Sequence, residues 1–146
     1  MSNQEKLEEA RDVIVESFGR VYAIYGLPDV LGRIYGVLFF AERPLGLEDI
    51  ARELKVSKAT VSVNVRLLEA VKSVRKVWLK GSRRDYYEAE RNFLKIFVES
   101  LKMNMQREME ISSAAIGRSK ELLGEVAKSP DQELQKKAAT HYQNLD

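Results

Sequence analysis

Residues 57 to 70, SKATVSVNVRLLEA, combine hydroxyl, small apolar and basic side chains at helical spacing. Val61, Val65 and Leu68 fall on one stripe and are expected to pack inward. The opposite side then carries small residues where a solvated helix usually carries Glu and Lys. Side chains of this size let a helix enter the major groove of DNA, which is about 12 Å wide. The stretch therefore favours DNA binding; the alternative is that its short residues pack tightly against a neighbouring helix.

Two kinds of DNA contact are expected from this helix and from the basic residues that follow it. Hydroxyl groups can hydrogen-bond with base edges, and small apolar groups can meet a thymine methyl. The candidates for base reading are Ala59, Thr60, Ser62, Val63 and Asn64. Phosphate contacts position a protein without specifying sequence. The candidates for phosphate binding are Ser57, Lys58, Arg66, Lys80, Arg83 and Arg84.

The segment that follows, VRKVWLKGSRRDYYEAE, indicates a hairpin over residues 74–89, with two extended runs around a Gly-Ser turn. A two-residue turn at Gly81 and Ser82 would oppose four pairs of residues, namely Arg75 with Glu88, Val77 with Tyr86, Trp78 with Asp85, and Lys80 with Arg83. Like charges directly opposed are destabilising, and a bound phosphate would relieve the repulsion. A solvated loop that is basic for solubility is the alternative.

The elements that position these side chains form a helix-turn-helix. A short helix is expected at 47–54, the tight turn KVSK follows, and Ser57 is a good N-cap for the next helix. Before them, helices are expected at about 4–25 and 30–42, the second capped by Asp29. Gly32 and Gly36 lie four residues apart in that second helix, which predicts the close approach of another backbone.

The C-terminal third of the chain is expected to be helical. From residue 92 to 128 one long helix is predicted, with an apolar stripe formed by Phe97, Leu101, Met105, Met109, Ile116 and Leu123. Ser129 is expected to cap a last helix that begins with Pro130 and uses Gln132 to complete a capping box. The sequence therefore predicts a mostly α protein with a small β-hairpin wing.

Composition narrows the function classes. The net charge of the 146 residues is only +2, but nine basic and four acidic residues lie between Ser57 and Arg91, which points to a polyanionic partner. There is no cysteine, and His141 is the single histidine. Neither a metal site nor a nucleophile-base pair can be assembled from these residues, so no cofactor and no enzymatic activity are expected. The polar, acidic N-terminus and the short apolar runs predict a soluble, cytoplasmic protein without a membrane span.

PLGLEDIARELKVSKATVSVNVRLLE and VRKVWLKGSRRDYYEAE resemble the MarR-type winged-helix regulators, and GRIYGVLFF with VRKVW and DYYEAE is most similar to their GbsR-like branch. The resemblance implies a homodimeric transcription regulator, usually a repressor, that binds double-stranded DNA and senses a small molecule such as choline. It implies a DNA-binding domain at 26–91, flanked by an N-terminal helix at 1–25 and C-terminal helices at 92–146 that form the dimer. Lys72 and Ser73 depart from the family, which usually has Gly and an apolar residue there. If Lys72 is left-handed as the Gly would be, the cost is about 1 kcal/mol.

Three alternatives remain open at the level of sequence. The long C-terminal helix exposes more apolar surface than one chain can cover, which favours a dimer, although the last helix could fold back over it. The aromatic residues could cage a quaternary ammonium effector or simply form core; they are Phe18, Tyr22, Tyr25, Tyr35, Phe39, Phe40 and Trp78. A winged helix could also serve as a protein-protein adaptor without sequence-specific DNA binding.

Overall fold

The computed structural model describes residues 1–146 and contains six helices and three short strands. They are α1 (Asn3–Ile24), α2 (Asp29–Phe40), β1 (Leu45–Gly46), α3 (Leu47–Leu54), α4 (Lys58–Ala70), β2 (Val74–Val77), β3 (Tyr86–Ala89), α5 (Phe93–Val126) and α6 (Gln132–Asn144). This confirms the predicted fold class. Strand β1 was not predicted, because two residues are too few to show an alternating pattern. No helix combines the length and the apolar composition that a membrane span requires.

The chain forms two compact units, residues 1–97 and 98–146. The core of the first unit is built where α2, α3 and α4 meet the small sheet. Ile34, Ile50 and Val61 are completely buried there. The strands are antiparallel in the order β1-β3-β2, so β3 is central and β2 is an edge strand. The sheet thus anchors the wing directly to the helices that carry the helix-turn-helix.

Helices α1 and α2 approach each other closely at two glycines. A Cβ atom added to Gly32 would lie 2.1 Å from the carbonyl oxygen of Phe18, and one added to Gly36 would lie 2.8 Å from the Cα of Val15. Real side chains do not tolerate such distances. The predicted close backbone approach is confirmed, and its partner is α1.

Two of the predicted helix caps are wrong. Asp29 is the first residue of α2 and makes no capping hydrogen bond; Pro28 occupies the cap position. At α6 the cap is Asp131, whose carboxylate accepts from the backbone N–H groups of Glu133 and Leu134. Ser129 instead accepts from the N–H of Asp131, 3.2 Å away, within the preceding turn. The helix therefore begins two residues later than predicted, because a carboxylate directly before it satisfies two free N–H groups at once.

The second unit contains most of α5 together with α6. Lys120 forms an ion pair with Asp146, and its ammonium group lies 5.4 Å from the centre of the Tyr142 ring. The ion pair raises the pKa of Lys120. The apolar stripe of α5 remains uncovered by these contacts, because Leu101, Met105 and other members of the stripe are exposed.

Candidate nucleic-acid interface

Helix α4 is positioned by its cap and by its buried stripe. The Ser57 hydroxyl accepts from the backbone N–H of Thr60 at 3.0 Å, which confirms the predicted N-cap. Val61, Val65 and Leu68 are almost completely buried, as their spacing predicted. Together with α3 and the turn between them, this arrangement is a helix-turn-helix. The stripe fixes the rotation of α4 and therefore determines which side chains face outward.

The outward face of α4 consists of small and basic side chains. Lys58, Ala59, Val63 and Arg66 are exposed, and Ser62 is partly exposed. The Ser62 hydroxyl accepts a hydrogen bond from the Arg66 guanidinium at 3.3 Å. Val63 is 57% exposed although it is apolar. The first two turns of α4 therefore present short side chains that leave room for the wall of a DNA groove.

Two of the candidate base-reading residues do not belong to this outward face. Asn64 is only 8% exposed, and its amide nitrogen donates to the carbonyl oxygen of Thr60 at 2.8 Å. Its placement therefore differs from the expectation, because the amide that would read a base is used inside the helix. Thr60 is partly buried, and its hydroxyl lies 2.8 Å from that of Ser57. Such amide and hydroxyl groups often hydrogen-bond to nearby groups of their own helix.

The N-terminus of α4 includes an ion pair that sequence reasoning missed. The Lys58 ammonium lies 2.8 Å from a carboxylate oxygen of Glu48, on α3. This hydrogen bond is the largest reason why the pKa of Glu48 lies below its ordinary value, and the charge of Arg84 in the wing lowers it further. No sequence pattern indicated this pair, because it depends on how α3 and α4 cross. Lys58, a candidate phosphate ligand, is thus already paired with a carboxylate of the same chain.

The wing pairs as predicted near its base. Arg75 is opposite Glu88, and Val77 is opposite Tyr86. The Arg75 guanidinium binds the carboxylates of Glu88 at 2.7 Å and Glu90 at 3.0 Å. These contacts raise the pKa of Arg75, and its charge is paired within the wing. Arg75 therefore holds the two strands of the wing together.

The tip of the wing differs from the predicted two-residue turn. Strand β2 ends at Val77 and β3 begins at Tyr86, so the expected pairing of Trp78 with Asp85 and of Lys80 with Arg83 is wrong. The turn is closed by the N–H of Ser82 donating to the carbonyl of Leu79 at 3.2 Å. Gly81, at φ +83°, takes the third position of this turn, where a positive φ is required. The centre of the turn therefore moves by one residue, and the ladder cannot continue to the tip.

Three wing cations have no ion-pair partner within the chain. Lys80, Arg83 and Arg84 are exposed, whereas Asp85 is engaged by Lys76 at 3.6 Å. Lys80 and Arg83 lie beyond the last paired residues of the ladder and are not a cross-strand pair. All three charges remain free to meet an anion from outside.

The junction between α4 and the wing contains one of the two left-handed non-glycine residues of this chain, the other being Lys55. Lys72 has φ +61°, so it adopts the left-handed conformation for which glycine is normally used. The N–H of Ser73 donates to the carbonyl of Leu68, and the N–H of Lys72 to that of Glu69. These two bonds form a Schellman motif. Ser73 is completely buried, and the direction of β2 is set at this point.

The aromatic residues of α1 and α2 pack against one another. The rings of Phe18 and Tyr35 lie 5.3 Å apart, and Phe18 stacks on Phe93 at 5.5 Å. Tyr35 donates to the carbonyl of Glu90, and burial raises its pKa. Trp78 is remote from this group in the wing and is exposed. The seven aromatic residues considered in the sequence therefore do not line one common site. No cluster of three or more metal-ligating side chains is present.

A helix-turn-helix followed by a basic antiparallel hairpin defines a winged helix-turn-helix protein. Known proteins agree with this class. The chain is 26% identical to the HTH-type transcriptional repressor GbsR of Bacillus subtilis (strain 168) over 142 residues, which are 96% of this chain and 78% of GbsR. It is 28% identical to the putative HTH-type transcriptional regulator YvaV of the same organism, over 63% of this chain and 52% of YvaV. The chain thus spans most of GbsR but about half of YvaV.

A solved structure described as a transcriptional regulator shares the fold, with a TM-score of 0.55 and 18% identity, over 93% of this chain and 88% of that one. No family model matches the sequence. The resemblance to MarR-type winged-helix transcription regulators, and to their GbsR-like branch, is confirmed by these likenesses.

Proposed function

We propose that this chain is a sequence-specific, double-stranded DNA-binding transcription repressor. One observation carries the proposal: the exposed face of α4 has short side chains, and the adjoining wing has three cations without an ion-pair partner. Its similarity to GbsR, a transcriptional repressor, supports the same function. The proposal implies that the protein acts in the cytoplasm.

In this proposal the two surfaces have different tasks. Ala59, Ser62 and Val63 face base edges in the major groove, with Thr60 at the margin. Asn64 is left out because its amide is already bonded. The phosphates are held by Ser57, Lys58, Arg66, Lys80, Arg83 and Arg84. The helix N-terminus adds its own attraction for a phosphate.

The proposed assembly is a homodimer in which residues 26–91 bind DNA and the terminal segments 1–25 and 92–146 provide the dimer contacts. The exposed apolar stripe of α5 supports this arrangement. Two copies of α4 would then meet half-sites about 34 Å apart, one turn of DNA. No quaternary ammonium cage is included, because Phe18, Tyr35 and Phe39 fill one another's space.

The first experiment is iterative selection from random-sequence duplexes, followed by titration of the enriched sequences at two salt concentrations. We expect an inverted repeat that is bound with a steep salt dependence. Enrichment of nothing, together with a stable protein partner in a pull-down, would instead support a winged-helix adaptor.

Two variants then test whether phosphate binding and base reading are carried out by different residues. Arg84→Ala should weaken binding to all duplexes similarly and make the salt slope shallower by about one phosphate contact. Ser62→Ala should change the ranking of operator variants at one or two positions and leave the salt slope unchanged. Equal losses on every sequence from both substitutions would contradict the proposal.

A further inference from the structure

Trp78 is the most exposed large hydrophobic residue of the chain. Its side chain follows β2 at the start of the wing loop and is 88% exposed. An aromatic side chain of this size buries 150–250 Å² when it is packed. An exposed indole makes no such contribution to the stability of the fold. Its position therefore indicates contact with something other than this chain.

Trp78 has no aromatic or cationic partner within the chain. The close ring-ring contacts involve Phe18, Tyr35, Phe39 and Phe93, and the one cation-π contact joins Lys120 to Tyr142. The neighbouring Val77 and Leu79 are both partly buried. The loop is therefore held by its other residues, and the indole is not needed to close it.

The charge around Trp78 identifies the kind of surface that fits it. Lys80, Arg83 and Arg84 share its loop and have no ion-pair partner. Arg84 is close enough to Glu48, the partner of Lys58, to lower its pKa, so Arg84 lies on the side of the wing nearest the N-terminus of α4. An apolar ring among unpaired cations matches a surface that alternates phosphates with sugars and bases.

We propose that the indole of Trp78 is a nonionic DNA contact, packing on deoxyribose carbons beside the phosphates held by Arg83 and Arg84. This inference rests on the proposed function and adds to it a wing contact that carries no charge. Contacts with the sugar-phosphate backbone do not depend on the identity of the base. Trp78 therefore strengthens binding without selecting the operator.

Trp78 is the only tryptophan in the chain, so the unmodified protein reports on it directly. Its emission should start red-shifted and be quenched efficiently by iodide, as suits an exposed indole. Adding the selected duplex should shift the emission to the blue and should protect it from iodide. Both changes should saturate at the same DNA concentration as a gel mobility shift.

Variants then separate this contact from the ionic ones. Trp78→Ala should weaken DNA binding by about tenfold, equivalent to about 1.4 kcal/mol, with an unchanged salt slope. Trp78→Phe should recover part of the loss. Leu27→Ala removes an exposed apolar side chain from the turn between α1 and α2, within residues 26–91 but on neither α4 nor the wing, and should bind like the parent. Arg84→Ala, measured alongside, should alter the slope.

The outcomes distinguish this inference from the proposed function. A mobility shift without any change in emission or iodide quenching, and with normal binding by Trp78→Ala, would overturn the role of Trp78 and leave the repressor proposal standing. Failure to bind any duplex would overturn both. Protection of the indole by vesicles of anionic lipid, but not by duplex, would assign the surface to a membrane and also overturn the inference.

Discussion

At the scale of single residues, Glu48 limits what Lys58 can do. Their ion pair must open, or be shared, when a phosphate reaches the N-terminus of α4. The carboxylate also faces the incoming DNA backbone with a like charge. We infer that Glu48 lowers the affinity for DNA of any sequence.

Glu48→Gln should therefore raise the affinity for all duplexes by about three- to tenfold and steepen the salt slope by up to one phosphate contact. The reason is that Lys58 becomes free without a change in side-chain size. Fluorescence anisotropy of labelled duplexes at several salt concentrations measures both effects. The matched control is Glu53→Gln, which removes another carboxylate of α3, one that is paired with Arg11 of α1. It should change neither the affinity nor the salt slope. Unaltered binding by Glu48→Gln would show that the pair does not compete with DNA.

The same pair has a defined pH dependence. Because Lys58 lowers the pKa of Glu48 below its ordinary value of 4.5, the carboxylate is ionised throughout the neutral range. The stabilisation from the pair is fully present above that ordinary value and is lost as the pH falls through the lowered pKa. The difference in DNA affinity between the parent and Glu48→Gln should therefore be constant from pH 6 to 8. A titration of both proteins over this range checks it; a difference that changes with pH there would implicate another group.

At the scale of elements, the contact between α1 and α2 depends on the absence of a side chain. Gly32→Ala places a Cβ against the backbone of Phe18, so the two helices must separate. We expect a loss of about 1–3 kcal/mol in the free energy of unfolding, the usual range for overpacking. Urea denaturation monitored by circular dichroism measures it.

Gly117→Ala is the control for this substitution. Gly117 also lies inside a helix, but an added Cβ would meet nothing within 4 Å. Alanine should therefore stabilise α5 by up to about 1 kcal/mol through helix propensity alone. Equal stabilisation by both substitutions would mean that α1 and α2 can move apart at little cost.

At the scale of the whole molecule, the exposed apolar stripe of α5 supports the proposed dimer. Met105 lies near the middle of the stripe and is exposed. Met105→Lys should raise the dimer dissociation constant by tenfold or more, because burying a Met side chain contributes about 1.5–3 kcal/mol. Sedimentation velocity across a concentration series measures the change.

Ala114→Lys provides the matched control for the dimer. Ala114 is exposed and lies nine residues from Met105, which places it about 180° around the helix. The same charge should there leave the dissociation constant unchanged. A monomeric parent protein at all concentrations, or equal effects of both lysines, would contradict the proposed dimer interface.

The sequence by itself determined the features that follow from local rules. The buried stripe of α4 and the Ser57 cap were predicted, because helical period and capping depend on a few neighbouring residues. The family resemblance raised a left-handed Lys72 only as a condition, and the structure has that conformation. The register at the base of the wing was predicted from a Gly81-Ser82 turn and is confirmed, although the turn itself is centred one residue earlier.

Only the tertiary structure decided which side chains were left free to bind. The pairing of Lys58 with Glu48, the inward position of Asn64 and the exposure of Trp78 depend on how separate elements cross. The shifted turn of the wing arose because Gly81 alone takes a positive φ there without strain. Sequence patterns show which face of an element is buried, whereas the contacts between elements depend on distances that only the folded chain defines.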